Sequence, residues 1–242
     1  MFDGNRVVAL VPARAGSKGI PGKNLRALAG RSLLGWSIDL ALSVGEIDDC
    51  VVSTDGAQLA SEAQRLGARV HRRSAELATD DSLVIDAIRD FLDAERRAGS
   101  PVAILVLLEP TSPFRTVGDV RGCLDALRGG ADSVATFAPA EPHPNRLFRI
   151  DEDMAVPFID GAVPWEPRQR QHPRAFQLTG GVYAFWVARL PSSGRAILFG
   201  DVRPVVVPRS RCIDLDEPLD LEVADVLLRR GAIPDVELPD AP

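Results

Sequence analysis

The segment Val8-Ala9-Leu10-Val11-Pro12-Ala13-Arg14-Ala15-Gly16-Ser17-Lys18-Gly19-Ile20-Pro21-Gly22-Lys23-Asn24 constrains the fold more than any other part of the chain. An apolar run suited to a buried strand stops at Pro12 and opens into a loop with three glycines and three cations, Arg14, Lys18 and Lys23. Glycine lets backbone amides approach an anion closely, and the cations neutralise phosphate charge. A strand feeding such a loop, with a helical pattern after it, is how α/β proteins build phosphate sites. The spacing is that of neither common fingerprint. Gly16, Gly19 and Gly22 run G-x-x-G-x-x-G, five residues separate Gly16 from Gly22, and Asn24 stands where a P-loop has Ser or Thr. The loop predicts a nucleotide triphosphate site of a different kind.

Strand and helix patterns alternate behind this loop. Val7 to Val11 predicts the first strand, and Ser32 to Ser43 carries Leu33, Leu34, Trp36, Ile38, Leu40 and Ala41 at helical spacing. Asp49 to Thr54, Arg69 to Arg72, Val102 to Leu108 and Ser133 to Phe137 read as strands; Ala57 to Leu66, Leu83 to Arg97 and Val117 to Leu127 read as helices. Val102 to Leu108 is almost wholly apolar, as a strand covered on both faces should be. The rhythm predicts a Rossmann-like three-layer α/β sandwich with a mostly parallel central sheet. It breaks between Ala138 and Thr179, where seven of the nineteen prolines fall and no period survives. Leu147, Phe148, Ile150, Phe158, Ile159 and Trp165 make that stretch too apolar for a disordered linker, so residues 138–179 read as an insertion with structure of its own. Strands at Gly181 to Trp186 and Val202 to Val207 and a helix from Leu219 to Arg230 complete one domain over residues 1–233, with 234–242 a frayed tail.

Composition narrows the function. A formal net charge of −6 argues against a nucleic-acid binder. No apolar run reaches bilayer length and no signal-peptide pattern opens the chain, so a cytoplasmic protein is expected. Cys50, Cys123 and Cys212 are scattered and odd in number, which predicts no disulfide framework; His71, His143 and His172 match no zinc spacing.

Ile213-Asp214-Leu215-Asp216 is the second constellation. Residues i and i+2 of an extended segment share a face, so Asp214 and Asp216 can aim two carboxylates at one point, an arrangement suited to Mg²⁺ on a triphosphate. Spacing alone fits equally a strand-to-helix turn in which Asp216 caps the helix opened by Pro218, with Asp220 in its first turn.

The run from Pro12 to Asn24 resembles the N-terminal signature of the acylneuraminate cytidylyltransferases, and more loosely that of their Kdo-activating relatives. The resemblance recurs, in order, at Ser53-Thr54-Asp55, at Arg73 with Ala75 to Ala78, at Pro110 to Arg115, at Gly180 to Tyr183 and at Ile213 to Asp216. It implies CTP as one substrate, a 2-keto sugar acid as the other and a homodimer formed through the insertion, which reaches over a neighbouring site. By the same resemblance, Arg14, Ser17, Lys18 and Lys23 hold the triphosphate, while the backbone from Leu10 through Pro12 to Ala13, Asn24 and Arg73 serve the cytidine. Asp214 and Asp216 become Mg²⁺ ligands; Arg14, Lys23 and Asp216 are the catalytic candidates, Asp216 also as acceptor of the hydroxyl proton.

Two positions depart from the family pattern. Glu109 stands where glutamine is usual before Pro110, and Thr179 where asparagine is usual before Gly180. An ionised glutamate only accepts hydrogen bonds, so the acceptor half of the site is altered while the nucleotide half is intact. Glu109, Thr179 and Tyr183 are therefore the expected acceptor contacts, with Arg170 or Arg168 meeting the acceptor's carboxylate. The activity implied is transfer of CMP to a sialic acid-like nonulosonic acid; another acid such as Kdo, or a silent nucleotide-binding module, are the alternatives.

Overall fold

The computed structural model describes residues 2–17, 19–79, 81–233 and 235–236. β1 (Val7–Pro12) is followed by a short hairpin of β2 (Ala27–Leu28) and β3 (Arg31–Ser32), then α1 (Leu33–Ser43), β4 (Asp49–Thr54), α2 (Ala57–Arg65) and β5 (Arg69–Arg72). Next come α3 (Val84–Arg97), β6 (Ile104–Leu107), α4 (Val117–Arg128), β7 (Ser133–Pro139), a hairpin of β8 (Phe148–Asp151) and β9 (Met154–Pro157), β10 (Phe176–Trp186), β11 (Val202–Val206) and α5 (Pro218–Arg229).

Seven strands form the main sheet in the order β11-β7-β10-β6-β1-β4-β5. β10 lies antiparallel to both β6 and β7, and the other pairings are parallel. Period-two alternation in β1 explains the layering. Val7, Ala9 and Val11 pack on the face covered by α1, α2 and α4, while Val8 and Leu10 pack with Ile85, Ile88 and Phe91 of α3 on the other. Burying each such Val, Leu or Ile side chain contributes roughly 1.5–3 kcal/mol, so the central strands are fixed by their sequence. A third cluster joins Leu28, Leu33, Trp36 and Phe114 to Leu215, Ala224 and Leu228, which seats α5 beside α1.

Three helices, α1, α4 and α5, start where the sequence supplies a side-chain cap or capping box. The Ser32 hydroxyl accepts from Gly35 N (3.0 Å) to begin α1, and Thr116 with Asp119 forms a reciprocal box at α4. In α3 the buried positions Ile85, Ile88, Phe91 and Leu92 recur at helical spacing, with Asp86 in the first turn and Arg96 and Arg97 in the last, the favourable sense for the helix dipole.

Between β7 and β10 the chain leaves the sheet and forms the β8–β9 hairpin, paired from Phe148–Pro157 to Asp151–Met154. The main sheet resumes at Phe176, earlier than the strand expected from Gly181, because β10 continues past an irregularity to pair Phe176 with Pro139. That irregularity lies between Leu178 and Tyr183, where Gly180 holds a positive φ of 68°. Among the described residues, no helix is long and apolar enough to cross a membrane. Of the expected frayed tail, Pro234 and residues 237–242 lie outside the described residues.

Candidate active site

The carboxyl ends of β1, β5 and β6 open onto a cavity of about 490 Å³, where an open α/β sheet places its ligand. Arg14, Ser17, Gly19, Lys23 and Asn24 line it from the first loop, Arg73 to Val84 from the segment after β5, Glu109 to Thr111 from the end of β6, and Asp216 and Glu217 from the approach to α5.

Several bonds hold the first loop in shape. Ala13 N donates to Ser53 O (3.0 Å), Ala15 N to Asp55 Oδ1 (2.9 Å), and Asn24 Nδ2 to Arg14 O (3.0 Å). Ser53 and Asp55 thus belong to the site as supports. Asn24 lines the cavity but is buried and spends one side-chain donor inside the loop. Leu10 and Ala13 depart from expectation. Leu10 O accepts from Leu108 N (3.0 Å), both side chains are in the core, and of the stretch only Pro12 lines the cavity. Lys18 lies outside the described residues.

Gly19 explains how the loop meets the carboxylates. A Cβ at this position would lie 2.2 Å from the backbone oxygen of Asp216, so only glycine permits the approach. Across that contact, Lys23 Nζ donates to Asp216 Oδ1 at 2.8 Å. Leu215 is buried, with its N–H on Thr111 O (2.9 Å), while Asp214 and Asp216 on either side of it are exposed; Asp216 lines the cavity and Asp214 does not. The cap of α5 is Glu217 rather than Asp216; Asp220 Oδ2 accepts from both Asp216 N (2.9 Å) and Glu217 N (2.7 Å). Desolvation of its carboxyl raises the Asp214 pKa, opposed by a hydrogen bond from Thr111 and reinforced by the charge of Asp216. Among the described residues, no three His, Cys, Asp or Glu side chains gather into a metal cage, so a cation held by this pair must draw further oxygens from a ligand.

Arg73 reaches the cavity with its guanidinium anchored on Ser53 O (2.8 Å) and Ser53 Oγ (3.2 Å), and burial lowers its pKa. Glu109, partly buried just after β6, lines the cavity. Burial first, then the Asp214 charge, pushes its pKa up to about 7, against the pull of Arg115 and Lys23. Glu109 is thus poised between donor and acceptor near neutral pH, not fixed as the carboxylate expected from sequence. Below it the buried Arg115 donates to Glu109 O (2.8 Å) and Gly181 O (3.0 Å), a strut that sequence reading left unassigned. Burial and the charges of Glu109 and Asp214 raise the Tyr183 hydroxyl to about 12; its ring packs with the α3 face beside the cavity without lining it.

Thr179 has a different place from the one expected. Its hydroxyl is buried against Thr136 Oγ1 (2.6 Å) and accepts from Gly181 N (3.1 Å), so it secures the irregularity in β10 and presents no free group to an acceptor. Arg168 and Arg170 lie on an exposed turn at the base of the insertion, and neither lines the cavity of its own chain. Arg168 pairs with Glu141, which also holds Arg209, at a second cavity of about 650 Å³. Leu77 and Thr111 line the first cavity from motifs quoted in the sequence without a role for them, and Thr79, Ser82 and Val84 line it from positions that sequence did not single out. Their signal was weak, since none is charged.

A family model described as Cytidylyltransferase matches residues 8–138. CMP-N,N'-diacetyllegionaminic acid synthase of Legionella pneumophila subsp. pneumophila is 32% identical over 225 residues, which cover 92% of this chain and 96% of that protein. N-acylneuraminate cytidylyltransferase B of Danio rerio is 30% identical over 218 residues, 90% of this chain and 50% of that one, so the chain spans about half of this relative. Among solved structures, CMP:2-keto-3-deoxy-manno-octonic acid synthetase complexed with CTP superposes with a TM-score of 0.67 at 18% identity, covering 93% of this chain and 99% of the other. At that identity the likeness shows the fold.

Proposed function

This chain belongs to the cytidylyltransferase family, and from that premise we propose that it transfers CMP from CTP to the anomeric hydroxyl of a nonulosonic acid, releasing pyrophosphate. The observation that carries this reading is one cavity in which a basic glycine loop meets the Asp216 carboxylate, through the close approach of Gly19 and through the Lys23–Asp216 ion pair, with Asp214 two residues away. In the reaction the hydroxyl oxygen bonds to the α-phosphorus, the bond to the pyrophosphate oxygen breaks, and the hydroxyl proton passes to Asp216, directly or through water. Arg14, Ser17 and Lys23 would bind the phosphates and stabilise the charge that grows on them. Asp214 and Asp216 offer hard oxygen donors whose mutual repulsion a divalent cation relieves, so they fit Mg²⁺. Bound there, Mg²⁺ would supply further neutralisation of the triphosphate. Release of pyrophosphate from CTP, assayed with acylneuraminic, diacetyllegionaminic and Kdo acids, tests the reading; no release with any nonulosonic acid would overturn it.

Glu109 is the proposed acceptor discriminator. It stands on the carboxyl edge of the sheet, just after β6, whereas Arg73 enters the cavity from the end of β5. Glu109→Gln should reorder the acids by kcat/KM while changing the KM for CTP by less than about threefold, well under 1 kcal/mol. An unchanged ranking, or a collapse confined to CTP, removes Glu109 from the acceptor subsite.

The chain is proposed to act as a homodimer in the cytoplasm, where CTP is supplied. The insertion leaves Trp165 78% and Ile150 69% exposed, together with Phe158, Met154 and Phe148, an apolar surface of the kind that marks an interface. In such a dimer Arg168 and Arg170 would serve the neighbouring site rather than their own. Light scattering at micromolar concentration should return about twice the chain mass. An active monomer under those conditions would defeat the proposal.

A further inference from the structure

The segment that carries Asp214 and Asp216 has no regular structure between the turn Arg209–Arg211 and α5. Its position must come from side chains. Arg211, three residues before Asp214, lies outside the cavity lining, and its guanidinium runs inward to α4. Nη1 donates to Asp119 Oδ2 at 2.8 Å and to Thr116 Oγ1 at 3.0 Å, and both members of the ion pair are 8% exposed. The same Asp119 oxygen accepts from Thr116 N at 2.9 Å, so one carboxylate starts α4 and anchors the segment. Thr116 follows Arg115, the strut under Glu109, and Leu215 N is tied to Thr111 O (2.9 Å). The turn 109–116 and the segment 211–216 are therefore stitched together at two points.

We propose that Arg211 is a positioning residue for the transfer reaction: it locks segment 211–216 to the start of α4 and thereby sets Asp216 in the cavity wall with Asp214 beside it. The inference rests on the reading of those two aspartates as cation ligands. Nη1 alone supplies both bonds, and Nε has no partner among the described residues, so the contact depends on the reach and planarity of the guanidinium; a lysine keeps the charge but not that placement. Groups that orient metal ligands typically change metal affinity or activity by about 10–100-fold when altered.

The test uses the full chain with Mn²⁺ as a paramagnetic probe, titrated in the presence of CTP for the parent protein, Arg211→Lys, Arg211→Met and Asp216→Asn. Arg211→Lys should weaken Mn²⁺ binding and lower kcat by about tenfold, with CTP affinity in EDTA within about twofold of the parent. Arg211→Met should do more; where it fails to fold, the lysine variant carries the comparison. A lowered melting temperature with Mn²⁺ affinity and kcat unchanged in Arg211→Lys would make Arg211 structural only. Loss of Mn²⁺ in Asp216→Asn alongside an unaffected Arg211→Lys overturns the positioning role alone. Failure of the parent protein to bind Mn²⁺ with CTP overturns the cation reading, and this inference with it.

Discussion

Asp216→Asn is expected to lower turnover with Mg²⁺ by roughly 10²-fold or more, the scale of losing one preorganised electrostatic contact in a transition state. The substitution keeps the size of the side chain and its acceptor oxygen, so the backbone bond from Asp216 N to Asp220 and the close approach of Gly19 should survive. What it removes is the charge that Lys23 meets at 2.8 Å and that a cation would share. CTP should still bind, because Arg14, Ser17 and Lys23 remain on the opposite wall. Steady-state kinetics with equilibrium CTP binding separates the two: kcat should collapse while the CTP dissociation constant moves by only a few-fold. Near-parental turnover would remove Asp216 from the reaction, and parallel losses of binding and turnover would make it a nucleotide contact.

The second large effect concerns stability and pH. Glu109 has a folded-state pKa of about 7 because burial and Asp214 disfavour its charge. An unfolded glutamate titrates near 4.3. The folded chain therefore binds the extra proton between roughly pH 4.3 and 7, and stability falls as pH rises through that window. Below it the penalty is absent; above it the penalty is complete. A difference of about 2.7 units corresponds to roughly 3.5–4 kcal/mol. Glu109→Gln removes this term, so its stability relative to the parent should improve by about that amount between pH 4 and pH 8. Since 1 kcal/mol moves the melting temperature of a domain of this size by roughly 2–4 °C, the two melting curves should separate visibly toward alkaline pH. A separation constant across pH would show that Glu109 is ionised without penalty.

The elements most legible in sequence were those whose neighbours are local. β1, its loop, α1, β4 and α3 follow from runs and periods within a few residues, and their ends are set by caps such as Ser32 that can be read directly. The contact of Gly19 with Asp216 was legible only as two separate motifs, since nothing local to either says that they touch. Less legible still was β10. Its start at Phe176 depends on pairing with β7 past the irregularity at Gly180, and that pairing is a property of the assembled sheet. Thr179 failed for the same reason: a threonine before two glycines gives no sign that its hydroxyl will turn toward Thr136. Arg115 and Arg211 were invisible as supports because a buried arginine looks like any other in sequence, and its partners lie tens of residues away.

The place of β10 in the sheet also orders events during synthesis. β6, β1, β4 and β5 are mutual neighbours and can pair as soon as the chain has emerged through Leu107. β7 comes next but has no partner among them, because β10 separates it from β6 and is made only after the whole insertion. For that interval β7 is an unpaired strand, the kind of intermediate that waits on long-range contacts and exposes its edges meanwhile. Even then Gly19 has nothing against it until Asp216 is made. A shortened product would therefore hold the basic loop without its carboxylates, so the capacity to transfer arrives with the last part of the chain rather than accumulating along it.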